Sequence, residues 1–358
     1  MKVGKICERE DITIMYRFNS DYLEGAHPNI IDRLVKTNLM QTPGYGLDPI
    51  CDSAKEKIRG ACHAEGAKVY FTVGGTQTNY TVLDSILKRY EGVLAADTGH
   101  VAVHEAGAIE YSGHKVLTVP AKDGKVSSEE AKAYLESFYA DGSWQHMVRP
   151  GAIYISHPTE YGTLYSKAEL ASLRALCDQY GLKLYLDGAR LGYALASEGS
   201  DLTLPDIAEL CDVFYIGGTK VGALFGEAVV FTNPDLGEAF FTEIKQHGAL
   251  LAKGRMLGIQ FDELFSDGLY EKLGEHAVRL AMRIKRELTA KGYRFYNDSY
   301  TNQQFLILSE EKLKSLEETV VLDDWGPCGD KQDGMRLVRI TTSWATTEQA
   351  VDTLLSLF

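Results

Sequence analysis

Two side chains in this sequence are placed where they could do chemistry together, Lys220 and Asp187. Val213-Phe214-Tyr215-Ile216 leads into Gly217-Gly218-Thr219-Lys220, and Leu182-Lys183-Leu184-Tyr185-Leu186 leads into Asp187-Gly188-Ala189-Arg190. Short apolar runs of this kind read as buried strands, and strand ends at the carboxyl edge of a sheet are where α/β proteins bind ligands. A lysine desolvated at such an edge loses its preference for the charged form and becomes a nucleophile able to form a Schiff base. An aspartate at the neighbouring edge can hold a pyridine nitrogen protonated, keeping the ring an electron sink. The pair suits pyridoxal 5'-phosphate.

Three further features join them. Gly74-Gly75-Thr76-Gln77-Thr78-Asn79 lies between a strand ending at Val73 and a helix starting near Tyr80. Glycines admit an anion close to the backbone, and free N–H groups at a helix start favour phosphate. Alone it reads as a strand-to-helix turn capped by Thr78 or Asn79, and no Gly-Lys-Ser/Thr follows to make it a nucleotide loop. His100 sits just past the strand Val93 to Ala96, placed to lie flat on an aromatic cofactor, with His104 one helical turn on. Arg339, inside the alternating run Arg336 to Thr342, has the planar fork that clamps a carboxylate. Taken alone, that run reads as an edge strand with surface ion pairs.

The elements that must position these residues alternate. Strands are predicted at Ala67–Val73, Val93–Ala96, Ala152–Ser156, Leu182–Leu186, Val213–Ile216 and Ala228–Phe231. Helices are predicted at Tyr80–Tyr90, Lys167–Tyr180 and Leu204–Leu210. Such alternation means βαβ units and a mainly parallel sheet. From about Asp235 the pattern changes to long helices, including Leu269–Lys291 with Leu273, Ala277, Leu280, Ala281, Ile284 and Leu288 at helical spacing. Strands at Gln304–Leu308 and Arg336–Thr342 and a helix at Thr347–Leu357 follow. The chain therefore divides into an N-terminal segment (1–20), a large domain (21–240) and a small α+β domain (241–358).

Composition bounds the partners. At 358 residues and 45% apolar content the chain can bury a large core, and a net charge of −13 argues against nucleic acid. The six cysteines are scattered singly with no zinc-like spacing, so no metal is expected and the thiols read as reduced, cytoplasmic fillers. Met1 to Ile14 lacks the apolar stretch of a signal peptide, and no membrane span is expected.

Tyr45-Gly46-Leu47-Asp48, Gly75-Thr76-Gln77, His100 with Glu105-Ala106-Gly107, Asp187-Gly188-Ala189-Arg190, Gly218-Thr219-Lys220 and Arg339 occur in one order. In that order the chain resembles the threonine aldolase family of beta-eliminating lyases, from about Phe18 to Phe358. The resemblance implies the pyridoxal-phosphate-dependent fold type I of aspartate aminotransferase: a large domain with a mainly parallel seven-stranded sheet flanked by helices, and a small C-terminal α+β domain. It implies Lys220 as the covalent link to the cofactor, Asp187 on the pyridine nitrogen, His100 on the ring, and Gly75, Thr76 and Gln77 at the phosphate. It further implies Arg339 on the substrate carboxylate with Ser20, and Arg190 on the ring 3-oxygen or that carboxylate. Lys253, Arg255 and Tyr45 would approach the cofactor and substrate across a homodimer or homotetramer with shared sites. Where many members carry a histidine near the substrate hydroxyl, this chain reads His157-Pro158-Thr159-Glu160. The base is therefore left open between Glu160, His157 and a phosphate-bound water.

The activity implied is retro-aldol cleavage of a β-hydroxy-α-amino acid such as L-threonine or L-allo-threonine into glycine and an aldehyde. β-Elimination or transamination on the same fold is the alternative, since those activities share every cofactor residue. A phosphate-binding module without catalysis would need an ordinary surface Lys220. A dinucleotide-binding dehydrogenase would need a Gly-x-Gly-x-x-Gly that does not follow the first strand.

Overall fold

The computed structural model describes residues 15–329 and 333–358. Cys7 and the reading of Met1 to Ile14 lie outside the described residues. In chain order the strands begin with β1 (Tyr16–Arg17), β2 (Lys68–Thr72), β3 (Glu91–Ala96) and β4 (Val116–Val119). They continue with β5 (Arg149–Ser156), β6 (Lys183–Asp187), β7 (Val213–Gly217) and β8 (Glu227–Phe231). Seven of these form one sheet in the order β2-β8-β7-β6-β5-β3-β4. Only β8 opposes the common direction, pairing antiparallel with both β2 and β7.

Period-two alternation sends each strand's side chains to two separate cores. Ile153 and Ile155 of β5 and Phe214 and Ile216 of β7 enter one, while Tyr154, Tyr185 and Tyr215 enter the other. Because helices cover both faces, the strands read as continuous apolar runs, as expected of a parallel sheet.

The carboxyl ends of the parallel strands share one edge, with Ser156 of β5 in register with Asp187 of β6. Since β8 runs the other way, its first residue lies at that same edge, where Glu227 pairs with Gly217 and Thr72. The strand read from Ala228 thus starts one residue earlier, on a buried carboxyl.

The small unit holds β9 (Arg294–Phe295), β10 (Gln303–Ser309), β11 (Val320–Val321), β12 (Asp323–Pro327) and β13 (Met335–Thr341). Four of these form an antiparallel sheet ordered β12-β13-β10-β9, and β11 pairs with β1. Its core joins Phe18 with Leu280, Ile284 and Leu288. The core of the larger unit runs through Leu257, Phe261, Leu273 and Ala277 to Val278. The change of core falls inside the helix Leu269–Ala290, because one continuous helix lends its first half to one core and its second half to the other.

The helix expected at Tyr80–Tyr90 spans Gly75–Ile86. Asn79 and Thr78 are buried inside its first turn rather than capping it. Leu87 adopts extended backbone and ends it. None of the described helices is long and apolar enough to cross a membrane.

Candidate active site

Five loops leave the shared strand edge and meet over it. Gly75 follows β2, His100 follows β3, Glu160 follows β5, Arg190 follows β6 and Lys220 follows β7. All five residues border a cavity of about 150 Å³. A second cavity of about 560 Å³ adjoins it, sharing His100, Glu160, Arg190 and Lys220 and reaching Arg339 and His104.

Asp187 is the most elaborately held group. Its Oδ2 accepts hydrogen bonds from Tyr154 Oη at 2.6 Å and Asn79 Nδ2 at 2.9 Å. Its Oδ1 accepts from Tyr215 Oη at 2.5 Å and the Ala189 N–H at 3.0 Å. Burial pushes this carboxyl up, but the His100 charge and the hydroxyl and amide donors outweigh burial and hold it below the usual range. It is an ionised carboxylate fixed at the cavity wall. The tyrosines reach it because Tyr154, Tyr185 and Tyr215 share one sheet face, where Tyr185 Oη donates to Asn79 Oδ1 at 2.7 Å.

Lys220 lies in the link between β7 and β8, its backbone carbonyl accepting from the Tyr193 hydroxyl at 2.5 Å. Its amine lies 6.0 Å from the centroid of the Tyr22 ring and has no hydrogen-bond partner among the described residues. Burial lowers its pKa and the Arg190 charge adds to this, against opposing pulls from Asp21, Asp187 and Glu227. An amine driven towards neutrality beside an open cavity is a nucleophile.

His100 Nδ1 bonds Glu105 Oε1 at 2.7 Å, and that same oxygen accepts from Asn79 Nδ2 at 2.6 Å. Burial works against an imidazolium here, yet Glu105 and Asp187 raise the pKa of His100 above its ordinary value. Glu160 Oε1 accepts from Ser156 Oγ at 2.7 Å and the His100 N–H at 3.0 Å, leaving its buried Oε2 with no partner among the described residues. Burial raises its pKa. His157 is different. Its ring faces Tyr165, its Nδ1 accepts from the Tyr165 N–H at 3.3 Å, and burial lowers its pKa to about 4. Its backbone N–H is tied to the Asp187 carbonyl, which turns the side chain into the core and away from both cavities. The geometry leaves His157 no access to a substrate hydroxyl.

Arg339 sits on β13 opposite Asp323 of β12, whose carboxylate meets its Nη2 at 2.6 Å. Gln303 Oε1 accepts from Nη1 at 2.8 Å, and the Trp325 ring lies 5.2 Å from the guanidinium carbon. Nη2 also donates to the Asn19 carbonyl at 3.3 Å, beside Ser20, whose buried hydroxyl is unpartnered among the described residues. Arg190 is gripped by Asp21 through Nε at 2.6 Å and Nη2 at 3.0 Å.

At the phosphate loop, Gly74 begins the helix Gly75–Ile86 with no side-chain cap. Gln77 folds back to accept the Val73 N–H at 3.0 Å, and Thr76 is exposed. The first-turn N–H groups remain available to an anion. A Cβ at Gly75 would stand 3.2 Å from the Tyr215 hydroxyl, so the glycine keeps this floor open. Lys253, Arg255 and Tyr45 border neither cavity. Arg255 donates to the carbonyls of Met40 and Asn38, the Tyr45 N–H donates to the Ala252 carbonyl at 3.1 Å, and Lys253 is exposed. Within one chain they form an outer surface.

A ring with a phosphate, a pyridine nitrogen and an aldehyde fits what is present: an uncapped helix start, an ionised carboxylate, and an amine without a hydrogen-bond partner among the described residues, all around one cavity. Asp21, Asn79, Tyr154, Tyr215, Glu227 and Asp323 were not predicted as site residues. The signal for the others is a polar residue at the end of, or inside, an apolar strand, or an early helix residue facing the sheet, whereas Asp21 lies in a bend beside Ser20.

The model of the beta-eliminating lyase family matches residues 18–311. A low specificity L-threonine aldolase of Pseudomonas aeruginosa is 31% identical over 304 residues, 84% of this chain and 86% of the relative. A solved threonine aldolase of Leishmania major superposes with a TM-score of 0.92 at 42% identity, covering 96% of this chain and 98% of that one. An aspartate aminotransferase of Thermus thermophilus superposes with a TM-score of 0.69 at 15% identity, covering 96% of this chain and 91% of that one, a likeness of fold alone.

Proposed function

The chain belongs to the beta-eliminating lyase family and, within it, to the threonine aldolases, and from that membership and the site we propose how it works: it cleaves L-threonine to glycine and an aldehyde with pyridoxal phosphate held through Lys220. The observation that carries the residue assignment is the meeting of the Lys220 amine, the ionised Asp187 and the uncapped start of the helix Gly75–Ile86 around one cavity.

Bound there, the cofactor supplies an electron sink for the bond broken at the substrate Cα. The protein supplies the rest. Asp187 keeps the pyridine nitrogen protonated, His100 covers the ring, and Gly75, Thr76 and neighbouring N–H groups hold the phosphate. Arg339, with Ser20, would take the substrate carboxylate and so fix rotation about Cα, which selects the Cα–Cβ bond for cleavage. Arg190, locked by Asp21, holds the ring edge. Glu160, with its free buried oxygen at the cavity wall, is the group we assign to the β-hydroxyl proton. The open cavity of about 560 Å³ adjoins the substrate side, and L-allo-threonine is the second substrate of this reading.

Borohydride reduction of the cofactor-loaded protein followed by peptide mapping tests the assignment, alongside glycine release from a panel of β-hydroxy-α-amino acids. Label on Lys220 and loss of turnover in Lys220→Ala are expected. Label on another lysine would refute it, and pyruvate or a keto acid in place of glycine would favour elimination or transamination.

A further inference from the structure

Three carboxyl groups, Asp21, Asp187 and Glu227, oppose the pull of the Arg190 and His100 charges on the Lys220 amine. Two of the carboxylates are already committed. Asp21 is gripped by Arg190 and by Asn302 Nδ2 at 2.9 Å, and Asp187 is surrounded by its four donors and the His100 charge. Glu227 differs from both. Its Oε2 accepts the Gly218 N–H at 3.1 Å and its Oε1 accepts the Thr219 hydroxyl at 2.8 Å, so its hydrogen-bond donors are neutral, and it lines the cavity of about 150 Å³ together with Lys220, whose charge acts on it.

Its setting makes the residue costly. Glu227 is 3% exposed at the head of a strand whose other residues are all apolar. A carboxyl buried among neutral donors is strongly disfavoured unless a nearby cation compensates it. Burial raises its pKa, while the Thr219 hydroxyl, the Lys220 charge and the Gly218 N–H pull it back down, so its ionised form goes with a charged Lys220 nitrogen. The groups it holds are the two immediately before Lys220. The other ionisable groups near it are Asp187 and the hydroxyls of Tyr185, Tyr215 and Tyr270, which burial pushes far above the usual phenol value and so keeps neutral.

We infer that Glu227 is a positioning residue for Lys220, fixing the Gly218–Thr219 turn and supplying the negative charge that favours the protonated form of the Lys220 nitrogen, whether bonded to the cofactor or released by substrate. The inference rests on Lys220 carrying the cofactor. It gives β8 a purpose in the site: the one reversed strand brings a carboxyl to an edge where the strand ahead of it delivers the lysine.

The test is a pH titration of visible absorbance in the pyridoxal-phosphate-loaded protein, which reads the proton on the cofactor-bound nitrogen and not turnover. Removing a nearby negative charge makes the protonated form less stable, so Glu227→Gln should lower the midpoint by about one pH unit or more. Thr219→Val, which removes the hydroxyl that bonds Glu227 and the Gly226 N–H but leaves the carboxyl in place, should stay at the wild-type midpoint. An unshifted Glu227→Gln, or a Thr219→Val shifted as far, overturns the inference and leaves a structural role only. If Glu227→Gln does not load cofactor, Glu227→Asp gives the same reading: its retracted charge should lower the midpoint, and an unchanged midpoint overturns the inference. Absence of the visible band in the wild-type protein, or label on another lysine, would instead count against the Lys220 assignment.

Discussion

At the residue scale, the proposed function gives binding to Arg339 and chemistry to Glu160. The Asp323 carboxylate rests on the Arg339 guanidinium where a substrate carboxylate would bind, so substrate must compete with it. Arg339→Ala should raise KM for threonine by about 10- to 100-fold, the worth of a charged hydrogen-bonded contact, while Asp323→Asn should lower it. Steady-state kinetics decides, and KM moving the same way in both variants would exclude the competition. Glu160→Gln should instead lower kcat by about 100-fold or more on β-hydroxy substrates while α-proton exchange with solvent survives. Full aldolase activity in that variant would move the role to a phosphate-bound water.

His157 shows how a plausible residue type misleads. Its ordinary pKa suits a base, but its ring is buried against Tyr165 and held neutral, with a pKa of about 4 against 6.5 for a free imidazole. The folded pKa is depressed, so between those values the unfolded chain binds the extra proton and stability falls as pH falls. The loss should approach roughly 3 kcal/mol by pH 4. Urea denaturation at several pH values should show this slope, and His157→Gln should flatten it. An unchanged slope would mean that the imidazole is not buried in solution.

At the scale of elements, the helix Gly75–Ile86 does two jobs, presenting bare N–H groups outward and Asn79 inward to Asp187. Its start was misplaced in sequence because Thr78 and Asn79 look like caps, whereas their side chains turn towards the sheet: Thr78 Oγ1 bonds Thr72 Oγ1 at 2.5 Å. Gly75→Val should weaken pyridoxal phosphate binding by about tenfold or more, since the new side chain meets the Tyr215 hydroxyl and blocks close approach of an anion. Absorbance titration of the cofactor-free protein checks this, and unchanged affinity would place the phosphate elsewhere. The strands that carry Asp187 and Lys220 were legible because each is an apolar run closed by glycines. Glu227 and Asp323 were not, because their roles depend on which strand lies opposite, and that register is a property of the folded sheet.

At the scale of the molecule, one surface is unlike the rest. Ile31 and Val35 lie one helical turn apart on the helix Pro28–Thr37, both exposed, and Leu39, Met40, Tyr45 and Leu47 continue the apolar face beyond it, with Leu39 92% exposed. Arg255 and Ala252 bind the backbone of this same 38–47 segment, so the residues left outside the cavities belong to it. A run of exposed apolar side chains beside polar ones is the character of a subunit interface, and a second copy of this chain is the occupant the family resemblance supplies. In that assembly Tyr45, Lys253 and Arg255 would be offered to a neighbour's site. Leu39→Asp should therefore convert the protein to a smaller species in light scattering and reduce activity, although Leu39 touches no residue around Lys220. A wild-type protein that is monomeric and fully active would sink the shared-site arrangement; a dissociated variant with full activity would keep the interface but remove its part in catalysis.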